Sequence, residues 1–277
     1  MSDCLFPPHQ DGRLTCASVL ECGTHLANVQ GVRARSDLEV RPRRTAAVAT
    51  LTPMPVALIT GASRGLGAAI AHALAPTHDL LLGARSTAAL ASILAELPAA
   101  QAIAVELTDH ATLADAVASI DRLDVLVHNA GLGHRGTIAT TGARQWRDLM
   151  EVNVIAVAEL TRLLLPALRT ARGHVVLINS GSGLRVGAGW GPYAASKFAL
   201  RAFADALRQE EPNLRVTSIH PGRIDTDMQR GIVEVEQRPY NPSEFMTTAT
   251  VAQAVRAAVD TPADAHLTEI MLSPIPH

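Results

Sequence analysis

From Met54 onward the chain repeats one pattern: a short unbroken apolar run, a turn, and a longer alanine-rich amphipathic stretch. The first run is Val56-Ala57-Leu58-Ile59-Thr60. A strand with one wet face alternates apolar and polar residues, whereas an unbroken run marks a strand buried on both sides, as in a parallel sheet sandwiched by helices. Further runs fall at Leu80–Leu82, Ala102–Leu107, Val125–His128, Val175–Ile178, Leu214–His220 and Leu267–Leu272. Helical patterns occupy the intervals to about Ala75 and Leu97, then 110–121, 143–170, 192–210 and 248–260, with Pro166 expected to end or kink the fourth. Such alternation predicts a single α/β domain with a doubly wound, mostly parallel seven-stranded sheet, helices on both faces and right-handed crossovers.

In folds of this kind ligands bind beyond the carboxyl ends of the strands. Thr60, Asn129, Ser180 and Pro221 all fall at such ends, which places the site before any motif is considered. Composition narrows what it can serve. Net charge is −2, which gives no electrostatic reason to expect nucleic acid. No apolar run reaches the roughly 18–20 residues that span a bilayer, so no membrane partner is expected. Cys4, Cys16 and Cys22 all lie in the first 22 residues; their odd number and spacing fit neither a disulfide framework nor a metal site. The thiol-free body reads as cytoplasmic. Residues 1–53 lack sustained periodicity and read as a disordered N-terminal extension, with Met54 a conceivable natural start, ahead of a catalytic domain at 54–277.

Two details carry chemistry. Thr60-Gly61-Ala62-Ser63-Arg64-Gly65-Leu66-Gly67 joins the first strand to its helix, where glycines permit a tight turn and free helix N–H groups attract phosphate. The chain's only lysine, Lys197, stands four residues after Tyr193, one of two tyrosines. That spacing puts both side chains on one helix face. With every other basic residue an arginine, a compact ammionium beside a phenol suggests a phenol that exchanges its proton.

These segments resemble the short-chain dehydrogenase/reductase family. Thr60–Gly67 matches its Thr-Gly-x-x-x-Gly-x-Gly loop, and His128-Asn129-Ala130-Gly131 matches its Asn-Asn-Ala-Gly segment with His in first place. Asn153 matches the asparagine of the long helix, Ser180 stands thirteen residues before Tyr193, and Pro221-Gly222 with Thr226 matches the segment after the sixth strand. The likeness spans about 54–227 and implies a Rossmann-like fold. It implies further that Tyr193 is general acid/base, that Lys197 lowers the phenol's pKa and binds the nicotinamide ribose, that Ser180 holds the substrate oxygen, and that Asn153 anchors a water. Cofactor contacts are expected from Gly61, Ser63, Arg64, Gly65, Leu66, Gly67, Asn129, Ala130, Gly131, Tyr193, Lys197, Pro221, Gly222 and Thr226. Glu106-Leu107 stands at the family's Asp-hydrophobe position near adenine.

NAD-preferring members place an acid after the second strand. Here Leu82-Gly83-Ala84-Arg85-Ser86 has none, and Arg64 sits in the glycine loop, so two guanidinium groups can bracket a 2′-phosphate and NADP(H) is expected. The expected partner is a small carbonyl or alcohol substrate, with walls drawn from 132–135, 182–190 and 223–245, including His134, Arg185, Trp190 and Met228. The segment after Thr226 reads as a small lid. A homo-oligomer, dimer or tetramer, through 143–170 and 192–210 is a further expectation from the family. A non-catalytic NADP(H)-binding sensor is the alternative reading, and epimerase or dehydratase chemistry is a third.

Overall fold

The computed structural model describes residues 54–275, so the expected extension at 1–53 lies outside the described residues. Seven strands form one sheet in the order β3-β2-β1-β4-β5-β6-β7. They are β1 (Val56–Thr60), β2 (Asp79–Ala84), β3 (Gln101–Ala104), β4 (Val125–His128), β5 (His174–Ile178), β6 (Arg215–Pro221) and β7 (Glu269–Leu272). Every neighbouring pair is parallel, so the sheet is wholly rather than mostly parallel. The order reverses between β1 and β4, where Ala57 faces Val125 and Ile59 faces Val127. A crevice opens at such a reversal because the two connecting segments leave in opposite directions.

Helices cover both faces. Along β1, Ala57 and Ile59 enter a core shared with α1 (Gly65–Leu74), α2 (Thr87–Glu96) and α8 (Thr248–Asp260), while Leu58 points into the opposite core. That second core is built with α3 (His110–Val117), α5 (Ala156–Ala171) and α6 (Gly191–Glu210). The alternation of side chains along a strand makes each apolar run serve two cores at once. Two further helices, α4 (Ala143–Met150) and α7 (Asp227–Val235), flank the carboxyl-end crevice.

The expected 143–170 helix is broken, but not at Pro166. It divides at Glu151–Ile155, one turn of π-helix between α4 and α5, and α5 then runs through Pro166 to Ala171. An interior proline costs about 3 kcal/mol. Burial of Leu160, Leu164 and Leu168 at about 1.5–3 kcal/mol each more than offsets that.

Three other boundaries moved. The third strand stops at Ala104 rather than Leu107 because β3 lies at the sheet edge and its only partner, β2, ends at Ala84. Val105 N–H still reaches Ala84 O at 2.9 Å, and beyond it Glu106 and Leu107 have no ladder to join. α3 stops at Val117, since the chain must turn so that Leu123 can enter the core and donate to Ala167 O. Helix α7 stands where the sequence suggested only a lid, opened by Thr226, whose side chain accepts from Gln229 N.

Candidate active site

One cleft of about 1550 Å³ runs along the carboxyl ends of the strands, from Arg85 and Glu106 at one end to Trp190 and Glu236 at the other. Its floor is stitched together at the β1–β4 reversal. Thr60 Oγ1 accepts from Asn129 N at 3.0 Å and Ala130 N at 3.1 Å. Asn129 Nδ2 donates back to Thr60 O and Gly61 O at 2.9 and 3.1 Å. Thr60, which the sequence marked as a strand-end residue of the site without a role, thus fixes the spacing of the two loops.

The glycine loop is a cradle that larger residues would fill. Gly61 adopts φ +64°, a left-handed conformation. A Cβ on Gly67 would stand 2.1 Å from Gly61 O, so the first turn of α1 packs directly on the loop. Ser86, Asp109, Thr226 and Thr247 cap their helices with side-chain oxygens, but Arg64 offers none to α1. The orphan N–H groups of that first turn therefore face the cleft, suited to an anion.

Farther along, β5 and α6 bring Ser180, Tyr193 and Lys197 together. Asn179, nearly inaccessible, is the tie: its Oδ1 accepts from Ser180 N at 2.9 Å and its Nδ2 donates to Lys197 O at 3.2 Å. Gly183 lets the short turn after β5 press on this contact, since a Cβ there would meet Asn179 Oδ1 at 2.5 Å. Nothing in the sequence pattern marked Asn179.

Lys197 is only 6% exposed and donates from Nζ to Ile178 O at 2.9 Å. An ammonium has three protons to donate, so two remain for the cleft that it lines. Burial lowers its pKa to about 8. Its Nζ lies 5.9 Å from the centre of the Tyr193 ring. Burial raises the Tyr193 phenol above its ordinary value, and a hydrogen bond to Ser180 opposes that shift. Ser180 Oγ meanwhile accepts from Ser182 N at 3.1 Å, which leaves its own proton free to donate.

Asn153 sits in the π-helical turn, buried behind the cleft rather than lining it. Its Oδ1 accepts from Leu132 N at 2.8 Å, while Nδ2 donates to Leu132 O and Ser196 Oγ, each at 3.0 Å. Both amide protons are used, so the side chain clamps the loop after β4 onto α6. His128, the departure from the Asn-Asn-Ala-Gly pattern, is likewise structural. It is buried against Thr161 Oγ1 at 2.9 Å, and burial holds its pKa down to about 3, so the ring is neutral.

The remaining expected residues line the cleft as a set: Ser63, Arg64, Gly65, Leu66, Arg85, Glu106, Leu107, Gly131, Pro221 and Gly222 among them. Of the suggested wall residues Trp190 and Met228 line it, but His134 and Arg185 do not; Arg135 and Arg223 supply the cationic wall instead. His134 lies behind, with Nε2 3.4 Å from Thr141 Oγ1.

A glycine cradle, an uncapped helix and a Ser-Tyr-Lys cluster along one crevice define a recognisable arrangement, and the short chain dehydrogenase family model matches residues 55–237. The chain belongs to the short-chain dehydrogenase/reductase family. It is similar to the mouse Dehydrogenase/reductase SDR family member 7B, 35% identical over 225 residues that make up 74% of this chain and 70% of the relative. It is also similar to a Saccharomyces cerevisiae benzil reductase ((S)-benzoin forming), 34% identical over 197 residues, 65% of this chain and 75% of that one.

Among solved structures, an alcohol dehydrogenase from the archaeon Thermococcus sibiricus complexed with 5-hydroxy-NADP superposes with a TM-score of 0.73. The two are 29% identical, over 81% of this chain and 99% of that one. A metagenomic short-chain oxidoreductase in complex with NADP gives a TM-score of 0.67 at 28% identity, over 80% and 98% of the chains. The protein is therefore an oxidoreductase of this family, and its cleft fits a nicotinamide dinucleotide: the cradle and the bare α1 terminus suit a pyrophosphate. Among the described residues no helix is long and apolar enough to cross a membrane.

Proposed function

We propose that the protein is an NADP(H)-dependent carbonyl reductase, running in reverse as an alcohol dehydrogenase. The observation that carries this reading is that Ser180 and Tyr193 line one cleft with the buried ammonium of Lys197, whose Nζ lies 5.9 Å from the Tyr193 ring centre. A sensor needs no such proton donor. The nicotinamide cofactor supplies the hydride, and the chain's own groups handle the oxygen and its proton.

Ser180 donates its hydroxyl proton to the substrate oxygen and holds it beside the phenol. Tyr193 then gives its proton to that oxygen as charge develops there, or takes it when an alcohol is oxidised. Lys197 provides the field that makes phenolate accessible, because a cation nearby favours the charged form. Asn153 acts at one remove, holding the Leu132 peptide and Ser196 so that the loop after β4 and helix α6 stay in register.

Gly61, Ser63, Gly65, Leu66 and Gly67 would hold the pyrophosphate with Thr226; Asn129, Ala130 and Gly131 would flank the ribose with Tyr193 and Lys197. Pro221 and Gly222 would border the nicotinamide, and Glu106 and Leu107 the adenine. Preference for the 2′-phosphate is supported by Arg85, exposed after β2 and without an ion-pair partner among the described residues, and by Arg64. Arg64 at present pairs with Asp227 at 2.9 Å, both side chains well exposed.

Tyr193→Phe is the test. Loss of carbonyl reduction by about 10²–10⁴-fold, with NADPH still bound, is the expected result. Full biological activity in that variant with intact cofactor binding would establish the sensor instead.

A further inference from the structure

At the end of the cleft beyond Tyr193, cations outnumber anions. Glu236, at the end of α7, is shared: its Oε1 lies 3.4 Å from Arg135 NH1, and its Oε2 accepts from Arg223 NH2 at 2.8 Å and Arg238 Nε at 3.0 Å. Burial pushes this carboxyl up, but the hydrogen bonds from Arg223 and Arg238 prevail and it lies below the usual range. Arg238 is also held by Glu244 at 2.7 Å and does not line the cleft. Arg135, Arg223 and Glu236 do line it, which leaves one positive charge in excess at this wall.

Two buried donors sharpen the point. Among the described residues Arg223 Nε and Gln229 Nε2 find no hydrogen-bond partner, and both residues border the cleft. Both atoms are closed to water in this conformation, so an acceptor in the cleft reaches them only once the side chains turn, and then removes the desolvation cost of a buried, unpaired N–H. Two guanidinium groups close enough to share one carboxylate are also spaced to share a second, since each fork has donors left over.

The wall also lies within reach of the phenol. Arg135 stacks over Trp190 at 5.3 Å, and the Trp190 ring lies 5.7 Å from that of Tyr193, so one indole separates the cation from the proton donor. The acids Glu151 and Asp148 also line the cleft, but each has its own partner: Glu151 lies 2.7 Å from His110 Nε2 and Asp148 lies 3.8 Å from Arg144 Nε.

We propose that the substrate is an oxo acid, or the matching hydroxy acid, whose carboxylate docks on Arg135 and Arg223 while its carbonyl meets Ser180 and Tyr193. This rests on the carbonyl-reductase reading and names its substrate class. Arg135 and Arg223 are then specificity residues, with Glu236 holding their forks in place and Trp190 setting the distance from carboxylate to carbonyl.

The experiment compares 2-, 3-, 4- and 5-oxohexanoate with their methyl esters, using NADPH and NADH in turn. At one spacing the acid should exceed its ester in kcat/KM by about tenfold or more, carried by KM, the scale of a charge-assisted hydrogen bond. Arg223→Gln and Arg135→Gln should each reduce that acid-to-ester ratio by about tenfold, and Arg223→Lys should retain part of it. A merely structural role would lower the melting temperature and both rates together, leaving the ratio unchanged, and that result overturns the proposal. So does an ester that matches its acid at every spacing. If neither acids nor esters turn over, the carbonyl-reductase reading fails by itself. Calorimetric binding of hexanoate to the NADP-supplemented protein then decides the anion site: loss of binding in Arg223→Gln supports it, and equal binding in the variant and parent overturns it.

Discussion

Replacing Lys197 by Met should abolish turnover and yet stabilise the fold near neutral pH. The methionine keeps most of the apolar stem and removes the charge that the interior resists. Burial moves the ammonium from 10.5 to about 8, which at ~1.4 kcal/mol per pH unit is a penalty of about 3 kcal/mol. The variant also strands Ile178 O, costing about 1 kcal/mol. The net gain is about 2 kcal/mol, or roughly 4–8 °C in melting temperature for a domain of this size.

Its pH dependence is distinctive because the folded pKa lies below the unfolded one. Below about pH 8 both states hold the proton and the parent bears the full penalty. Between about 8 and 10.5 the folded parent releases the proton while the unfolded chain keeps it, so the parent gains on the variant as pH rises. Above that range the variant retains only its lost hydrogen bond. Urea unfolding of both proteins at pH 6.5, 8 and 10 measures the difference. A variant less stable than the parent at pH 6.5, or a difference that does not change with pH, would refute the reasoning.

Lys197→Arg keeps the charge but should lose most carbonyl reduction in a steady-state assay, because a planar fork cannot occupy the ammonium's place beside Ile178 O. Arg85→Ala should raise KM for NADPH by about tenfold while leaving KM for NADH nearly unchanged, and equal use of both cofactors by parent and variant would remove the case for NADP(H). Asp227→Asn releases Arg64 from an exposed pair, so any tightening of NADPH binding should stay below about fivefold in a fluorescence titration. Gly67→Ala should eliminate cofactor binding in the same titration, since its methyl would need the space of Gly61 O.

How far the sequence could be read depended on whether a feature was periodic. β1, β4 and α8 were legible to the residue because an apolar run bounded by turn residues leaves little freedom. The π-helical turn at Glu151–Ile155 was not, because one extra residue in a long helix leaves composition untouched while rotating everything after it. The Gly61–Gly67 cradle and the Tyr193–Lys197 pair were legible because their chemistry is local. The Asn179–Lys197 tie, the Thr60–Asn129 stitch and the Arg135–Glu236–Arg223 contact were not, because each joins separate segments of the chain. His134 and Arg185 drew attention by residue type alone, and the fold turned them away from the cleft.

The strand order has a consequence for how the chain assembles. β1 pairs on one side with β2, which follows soon after it, but its other edge waits for β4, with Ala57 meeting Val125. An incomplete chain ending before that point carries β1 with an open edge of unpaired N–H and C=O groups between apolar side chains, the geometry most prone to pairing with another molecule. Contacts of such separation also make folding slow, since loop closure must precede the reward. The crevice that receives the ligand is thus sealed by a late event, and whatever binds at the β1–β4 seam also holds together the most distant pairing on which the sheet depends.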